Sequence, residues 1–335
     1  MGSLSLARAT IAIPTCNREN YLREALDSAL EQTYENLEVI VSDNCSDDGT
    51  AEYLRSVSDP RLVVLQQSTN LGMIGNWEAC LERATGEYFL LLSDDDTLDR
   101  DAIRSLVSAI ENAEEPDKVA FAYCRSLVVD QNGSPLSLDS VAPSYEPSSG
   151  LVLGFFSRRR MIRPCATLLR TQDIREVGGY KQGSVRLAVD AIVWSRVLQK
   201  RAIAASVGRP LARYRVHTGN LSTLQSIEAW QTDLWEFSRI WIEAFKSAEP
   251  KFRRRLLAAT RGHHAWVISI TINQAERFYP GRLRLFPTYY HCRASFVGVP
   301  GLANLAIGLI ELVVPEVVKK PIRDFLVWKQ RRNDS

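Results

Sequence analysis

The first 115 residues alternate between short apolar runs, typical of β-strands, and amphipathic runs, typical of α-helices. Strand-like segments lie at 9–15, 37–43, 61–67 and 87–94, and a helical pattern follows each of them. Because this alternation joins parallel strands, it predicts an α/β fold with a mostly parallel sheet and helices on both faces. An Asn-Gly pair within 129–135 is typical of a hairpin turn, so we expect the sheet to become mixed further along.

Polar side chains collect where three of the predicted strands end. Residues 15–18 follow the first strand, Asp43 and Asn44 follow the second, and an acidic triplet follows the fourth, consisting of Asp94, Asp95 and Asp96. In parallel α/β sheets, ligands bind beyond the carboxyl ends of the strands. The three clusters therefore predict one ligand site at that edge of the sheet.

The acidic triplet has two interpretations. Adjacent carboxylates are the hard oxygen ligands that Mg²⁺ and Mn²⁺ prefer. Acidic residues also favour the first turn of a helix, where they are solvated. The apolar run before the triplet favours the first interpretation, because it places the carboxylates at the ligand edge of the sheet.

A second acid, Asp190, lies in the otherwise apolar, helix-like run 187–198. A carboxylate among core residues is costly unless it has a function. The sequence leaves two roles open for it, a functional acid or the N-cap of the helix.

Charge divides the chain unevenly. The net charge is +2, but residues 251–335 carry 15 Lys and Arg against 5 Asp and Glu, which leaves residues 1–250 with a balance of −8. The six cysteines are scattered without a C-x-x-C pair, which favours reduced thiols in a cytosolic setting, and no secretory signal is visible.

After residue 223 the strand–helix alternation stops and two long amphipathic helices are predicted. The segment 296–318 is apolar but is interrupted by Pro300, Asn304, Glu311 and Pro315, and a basic, partly aromatic tail follows it. Such a tail is typical of peripheral binding to an anionic membrane surface. A full membrane span, a helical cap on the first domain and an oligomer contact remain alternatives.

The segment "IAIPTCNRENYLREALDSALEQTYENLEVIVSDNCSDDGT", followed by "NLG" and "GEYFLLLSDDDTL", resembles the family 2 glycosyltransferases of GT-A fold. The resemblance continues through "EVGGYKQ", "LAVDAIVWSRVL" and "YRVHTGNLS" and covers residues 8–222. It implies a catalytic GT-A domain over residues 1–222 and a helical C-terminal region over 223–335.

The resemblance also implies a role for each matching residue. It implies that nucleotide binding involves Pro14, Thr15, Arg18, Asp43, Asn70, Gly72, Asp94 and Arg215, and that the ligands of a divalent metal, Mn²⁺ or Mg²⁺, are Asp95, Asp96 and His217. Ser93 stands where many relatives have the first acid of a D-x-D-D pattern, so the acid that contacts the ribose is left open.

The reaction implied by the resemblance is an inverting transfer from a UDP-, dTDP- or GDP-sugar, with Asp190 as the general base. The implied acceptor is a glycan or a lipid-linked glycan of a bacterial surface polysaccharide. We expect no nucleic-acid partner, and we expect a cytoplasmic enzyme at the inner face of the membrane.

Two other classes fit the sequence less well. A sugar-1-phosphate nucleotidyltransferase would carry a glycine-rich loop after the first strand, whereas "PTCNREN" has no glycine. A non-catalytic module, such as a phospho-acceptor receiver, is about a third of this length and needs its acids after the first and third strands.

Overall fold

The computed structural model describes residues 6–183, 185–217 and 227–278. The described strands are β1 Ala9–Thr15, β2 Leu37–Asp43, β3 Leu62–Gln66, β4 Tyr88–Leu91, β5 Thr97–Leu98, β6 Val119–Val129, β7 Pro135–Leu138, β8 Tyr145–Pro147, β9 Thr167–Arg170 and β10 Ile203–Arg215. The described helices are α1 Glu19–Leu30, α2 Thr50–Ser56, α3 Gly72–Arg83, α4 Ala102–Glu111, α5 Ser148–Phe156, α6 Thr171–Glu176, α7 Val189–Arg201, α8 Ile227–Ala244 and α9 Pro250–Phe278.

The first half of the sheet is parallel, as the alternation predicts. Its strands lie in the order β3-β2-β1-β4, and every neighbouring pair in it is parallel. β2 is buried along its whole length, as expected for a strand covered by helices on both faces. The carboxyl ends of β1, β2 and β4 therefore meet at one edge.

The second half of the sheet is mixed. β9 lies antiparallel between β4 and β6, and β10 runs parallel to β6. The predicted hairpin is confirmed, because β6 and β7 pair antiparallel and Gly133 in their turn has a φ of 82°. That positive φ is a conformation that glycine adopts without steric cost.

β4 ends at Leu91, three residues earlier than the apolar run suggests. The amide of Asp96 donates a hydrogen bond to the Ser93 carbonyl oxygen at 3.1 Å. This turn takes the acidic triplet out of the strand and places it beyond the edge of the sheet.

The helices cover the sheet in two layers with separate apolar cores. One core joins the sheet to α1 and α4, and the other joins it to α3, α5 and α7. The second core also contains Phe237 and Trp241 of α8 and Leu256 of α9. The first two C-terminal helices thus pack directly on the α/β unit.

Among the described helices, none is both long enough and apolar enough to cross a membrane. The segment 296–318 and the basic tail beyond it, for which we predict membrane contact, lie outside the described residues.

Candidate active site

The acidic triplet is buried directly beside the end of β1. The Thr15 hydroxyl donates a hydrogen bond to Asp94 Oδ2 at 2.8 Å. The Arg18 guanidinium lies 3.2 Å from Asp94 Oδ1 and 2.8 Å from Asp95 Oδ2. Burial raises the pKa of Asp94 to about 6 although the Arg18 charge opposes the change. The site is thus a buried acidic cluster that needs positive charge.

The end of β10 supplies the other side of this cluster. The backbone N–H of Arg215 donates to Asp96 Oδ1 at 2.8 Å, and its Nε donates to the backbone oxygen of Asp95 at 3.0 Å. His217 Nε2 lies 3.0 Å from Asp95 Oδ2. Burial and the Asp95 charge raise the pKa of Asp96 to about 8. Residues 119 to 122 positions apart in the sequence therefore meet at this point.

Helix α1 holds the β10 end in place, a role that sequence reasoning missed. The Tyr21 ring stacks on His217 with 4.9 Å between ring centroids. The Arg215 guanidinium lies 5.3 Å from the same Tyr21 ring and forms an ion pair with Glu24. The only available signal was that Tyr21 and Glu24 lie one helical turn apart, close after the loop that carries Arg18.

A second polar group lies at the ends of β2 and β3. Asn44 Nδ2 donates to Asn70 Oδ1 at 2.9 Å, and Asn44 Oδ1 accepts from the Leu71 amide at 2.7 Å. The Gly72 amide donates to Asn70 Oδ1 at 2.8 Å, and Gly72 has a φ of 72°. Asn44 thus fixes the loop that carries Asn70 and Gly72.

Asp43 is buried at the end of β2 with one oxygen satisfied and one unsatisfied. Its Oδ1 accepts from the Ser46 amide at 3.1 Å, whereas Oδ2 has no hydrogen-bond partner within the described ranges. Pro14 lies in β1 opposite Ser42, beyond the Ala9–Ala12 stretch that pairs with β4. A buried carboxylate oxygen without a donor is unusual, so Asp43 Oδ2 is a candidate acceptor for a ligand donor or an ordered water.

Asp190 lies in the first turn of α7 and belongs to neither of the two polar groups described above. The N-cap of α7 is Ala188, so the N-cap alternative is wrong. Burial raises the pKa of Asp190 to about 6, and the Asp233 charge contributes to this. No hydrogen bond or ion pair in the described part of the chain joins the Asp190 side chain to the acidic triplet.

The described residues hold no cluster of three His, Cys, Asp or Glu side chains around a common point. Asp95 and His217 nevertheless present a carboxylate and an imidazole 3.0 Å apart, in a buried acidic setting. Mg²⁺ and similar ions are commonly held by one or two carboxylates together with substrate phosphates. The donor set therefore fits a cation whose remaining ligands come from a bound diphosphate.

Comparison with known proteins shows which sequences this chain resembles. Residues 10–142 match the family described as glycosyl transferase family 2. The chain is 25% identical over 216 residues to TuaG of Bacillus subtilis, named as a glycosyltransferase of teichuronic acid biosynthesis, an alignment that covers 64% of this chain and 81% of TuaG.

Two solved structures share the fold. Residues 1–349 of Staphylococcus aureus TarS, solved with UDP-GlcNAc, align with a TM-score of 0.60 at 17% identity, over 93% of this chain and 82% of TarS. The mannosyltransferase PcManGT of Pyrobaculum calidifontis, solved with GDP-Man and Mn²⁺, aligns with a TM-score of 0.53 at 18% identity, over 91% and 85% of the two chains.

The mixed sheet, its helical layers and the family match over β1 to β7 lead to one assignment. Over residues 10–142 this chain is similar to glycosyltransferase family 2, and its fold is that of the GT-A glycosyltransferases.

Proposed function

We propose that this protein transfers a sugar from a nucleotide-diphospho-sugar to an acceptor hydroxyl with inversion at the anomeric carbon. The observation that carries the proposal is the buried acidic triplet, bracketed by Arg18, Arg215 and His217 at the carboxyl edge of the sheet. Such a cluster suits a diphosphate and its counter-ion, because the cation and the guanidinium groups together balance acids and phosphates.

The nucleoside would bind at the β2 end. Asp43 Oδ2 is buried and can accept a hydrogen bond from the imide N–H of uracil or thymine, or from the N1–H of guanine. The loop that Asn44 orders, with Asn70 and Gly72, would close over the nucleoside together with Pro14 and Thr15. The likeness to TarS, solved with UDP-GlcNAc, supports a uridine donor.

The diphosphate would bind between the acidic triplet and the end of β10. Asp95 and His217 would hold a divalent cation, which supplies charge that offsets the negative charge developing on the leaving nucleoside diphosphate. Asp96 would brace the Arg215 backbone rather than face the ligand, because it accepts that N–H. The likeness to PcManGT, solved with Mn²⁺, supports this metal.

Asp190 would act as the general base. A pKa of about 6 keeps its carboxylate mostly ionised at neutral pH and still basic enough to accept the proton of an acceptor hydroxyl. That oxygen would attack the anomeric carbon from the face opposite the nucleotide, and the bond to the nucleoside diphosphate would break in the same step. A single displacement of this kind inverts the anomeric carbon, as in inverting glycosidases.

The acceptor we propose is a glycan, carried on a lipid, of a bacterial surface polysaccharide. The similarity to TuaG supports the pathway class. The basic tail after residue 318, with Lys319, Lys320 and Arg323, would hold the enzyme at the inner membrane face, where a lipid-linked acceptor is found.

Slow donor hydrolysis tests the donor class without knowledge of the acceptor. The full chain is incubated with UDP-glucose, UDP-N-acetylglucosamine, dTDP-glucose and GDP-mannose, each with Mn²⁺ or with a chelator. We expect nucleoside diphosphate to be released from at least one donor, and only with the metal. Cleavage to nucleoside monophosphate and sugar 1-phosphate, or no release from any donor, would contradict the proposal.

A further inference from the structure

We infer that Asp233 of α8 is a positioning residue for Asp190, because its carboxylate fixes the backbone turn from which α7 and Asp190 project. The inference rests on the proposed role of Asp190 as the base. It makes the C-terminal helical region part of the catalytic machinery, a function that the sequence pattern of α8 does not indicate.

The Asp233 carboxylate accepts hydrogen bonds from three successive backbone amides. Its Oδ2 accepts from the N–H groups of Arg186 at 3.0 Å, Leu187 and Ala188 at 2.9 Å. Its Oδ1 lies 3.2 Å from the Arg186 amide. Asp233 is only 1% exposed, so these bonds are shielded from water.

Three consecutive N–H groups that converge on one anion form a concavity that favours negative charge. Ala188 is the N-cap of α7, and Asp190 follows two residues later in the first turn. Any shift of the turn would therefore carry the Asp190 carboxylate with it. An ionised carboxylate is the group best suited here, because it accepts several amide hydrogen bonds without offering a donor of its own.

Besides the bonds between Asp233 and the turn before α7, a hydrogen bond joins α8 to α7 itself and restricts how the two helices can move. Trp241 Nε1 donates to Ser195 Oγ at 2.9 Å. The Trp194 and Phe237 rings also pack edge to face, with 5.4 Å between centroids. Asp233 thus belongs to a buried, fixed surface of α8.

The electrostatic environment of Asp190 gives a readout that a purely structural role would not change. The Asp233 charge raises the pKa of Asp190, in addition to the larger effect of burial. Burial contributes most to the raised pKa of the Tyr180 hydroxyl, and the charges of Asp190 and of Glu78 on α3 also raise it. Removal of the Asp233 charge should therefore lower the pKa of Asp190.

The test compares Asp233→Asn with wild type in the full chain, using whichever sugar nucleotide of the panel above wild type hydrolyses fastest. The Asn amide would direct its NH₂ group at backbone donors, so the turn should loosen. We expect kcat to fall by about 10- to 100-fold, the range for a misplaced catalytic group, with KM for the donor unchanged. The acidic limb of the pH–rate profile should move to lower pH, and hydrogen exchange of amides 186–188 should become faster.

Glu243→Gln is the matched control, because it removes one negative charge from the exposed face of the same helix. It should leave kcat, the pH profile and amide exchange as in wild type. An Asp233→Asn protein that folds and keeps wild-type kcat, acidic limb and amide protection would overturn the inference.

Asp233→Glu decides the matter if Asp233→Asn does not fold. It keeps the charge but displaces the carboxylate, so kcat should fall while the acidic limb stays near that of wild type. Wild-type kcat in Asp233→Glu would overturn the inference. If instead Asp190→Asn retains full activity, the proposed base is wrong, and this result is distinct from a failure of the Asp233 role.

Discussion

Three adjacent carboxylates remain buried in this protein because donors and cations reach them from distant parts of the chain. Thr15 and Arg18 come from the end of β1, and Arg215 and His217 come from the end of β10. Breaking such a pairing would leave an uncompensated buried charge, which is strongly destabilising. The same groups are the ones that we propose bind a diphosphate together with a cation.

Asp95→Ala should abolish metal-dependent binding of nucleoside diphosphate, because it removes a carboxylate ligand and leaves His217 as the remaining candidate protein ligand. Calorimetry with UDP and GDP, with and without Mn²⁺, measures this. The affinity in Mn²⁺ should fall to the metal-free value while the circular dichroism spectrum is unchanged. Asp117→Ala, at an exposed position, is the control and should bind as wild type does. Metal-dependent affinity that persists in Asp95→Ala would rule out Asp95 as a ligand.

The pH dependence of transfer should report Asp190. Its pKa is raised to about 6, and a base must be deprotonated, so the rate should rise with pH through about 6 and level off above it. At pH 5 the rate should be about tenfold below the plateau, since roughly one carboxylate in ten is then ionised. A rate that stays flat from pH 5 to pH 8 would exclude this assignment.

At the scale of secondary structure, the packing of α7 against α8 bears most directly on the position of the proposed base. α7 carries the proposed base in its first turn, and α8 contributes Phe237 and Trp241 to the core beneath it. Ring contacts continue from Trp194 through Trp241 to Phe245 of the following turn. The amphipathic pattern predicted α8 as a helix but could not indicate its partner.

Trp241→Ala should lower the free energy of unfolding by about 3 to 5 kcal/mol, the cost of truncating a fully buried aromatic side chain. Urea unfolding monitored by circular dichroism measures the change. Trp235→Ala is the matched control on the same helix, because Trp235 is 55% exposed and should cost no more than about 0.5 kcal/mol. Equal effects of the two substitutions would mean that α8 does not pack on the core as described.

At the scale of the whole molecule, the sequence predicted the elements better than the contacts between them. The strand at residues 37–43 coincides with β2, and the acids fall at the sheet edge as their positions after apolar runs suggest. The alternation could not reveal that β9 lies between β4 and β6, since strand order depends on long-range pairing. The roles of Tyr21 and Asp233 also depend on contacts between distant segments, which no local pattern encodes.

The charge asymmetry of the chain predicts peripheral membrane binding through the basic tail. Each basic residue near an anionic surface contributes about 1 kcal/mol, and salt screens this attraction. The full chain should float with liposomes that contain anionic lipid at low salt and should dissociate at high salt. A variant with Lys319, Lys320 and Arg323 changed to Gln should float less, whereas substitution of the same number of basic residues within 251–255 is the control. Equal flotation of the variant and wild type would exclude the tail.

In the proposed mechanism, a nucleotide site at the sheet edge works with a separate base on α7. The most direct test measures both parts in Asp190→Asn, which keeps the size of the side chain but cannot accept a proton at neutral pH. We predict nucleoside diphosphate affinity within a few-fold of wild type, and release of nucleoside diphosphate from the sugar donor slower by at least about 100-fold. Release at the wild-type rate, in a variant that binds the nucleotide normally, would contradict the role of Asp190 as the base.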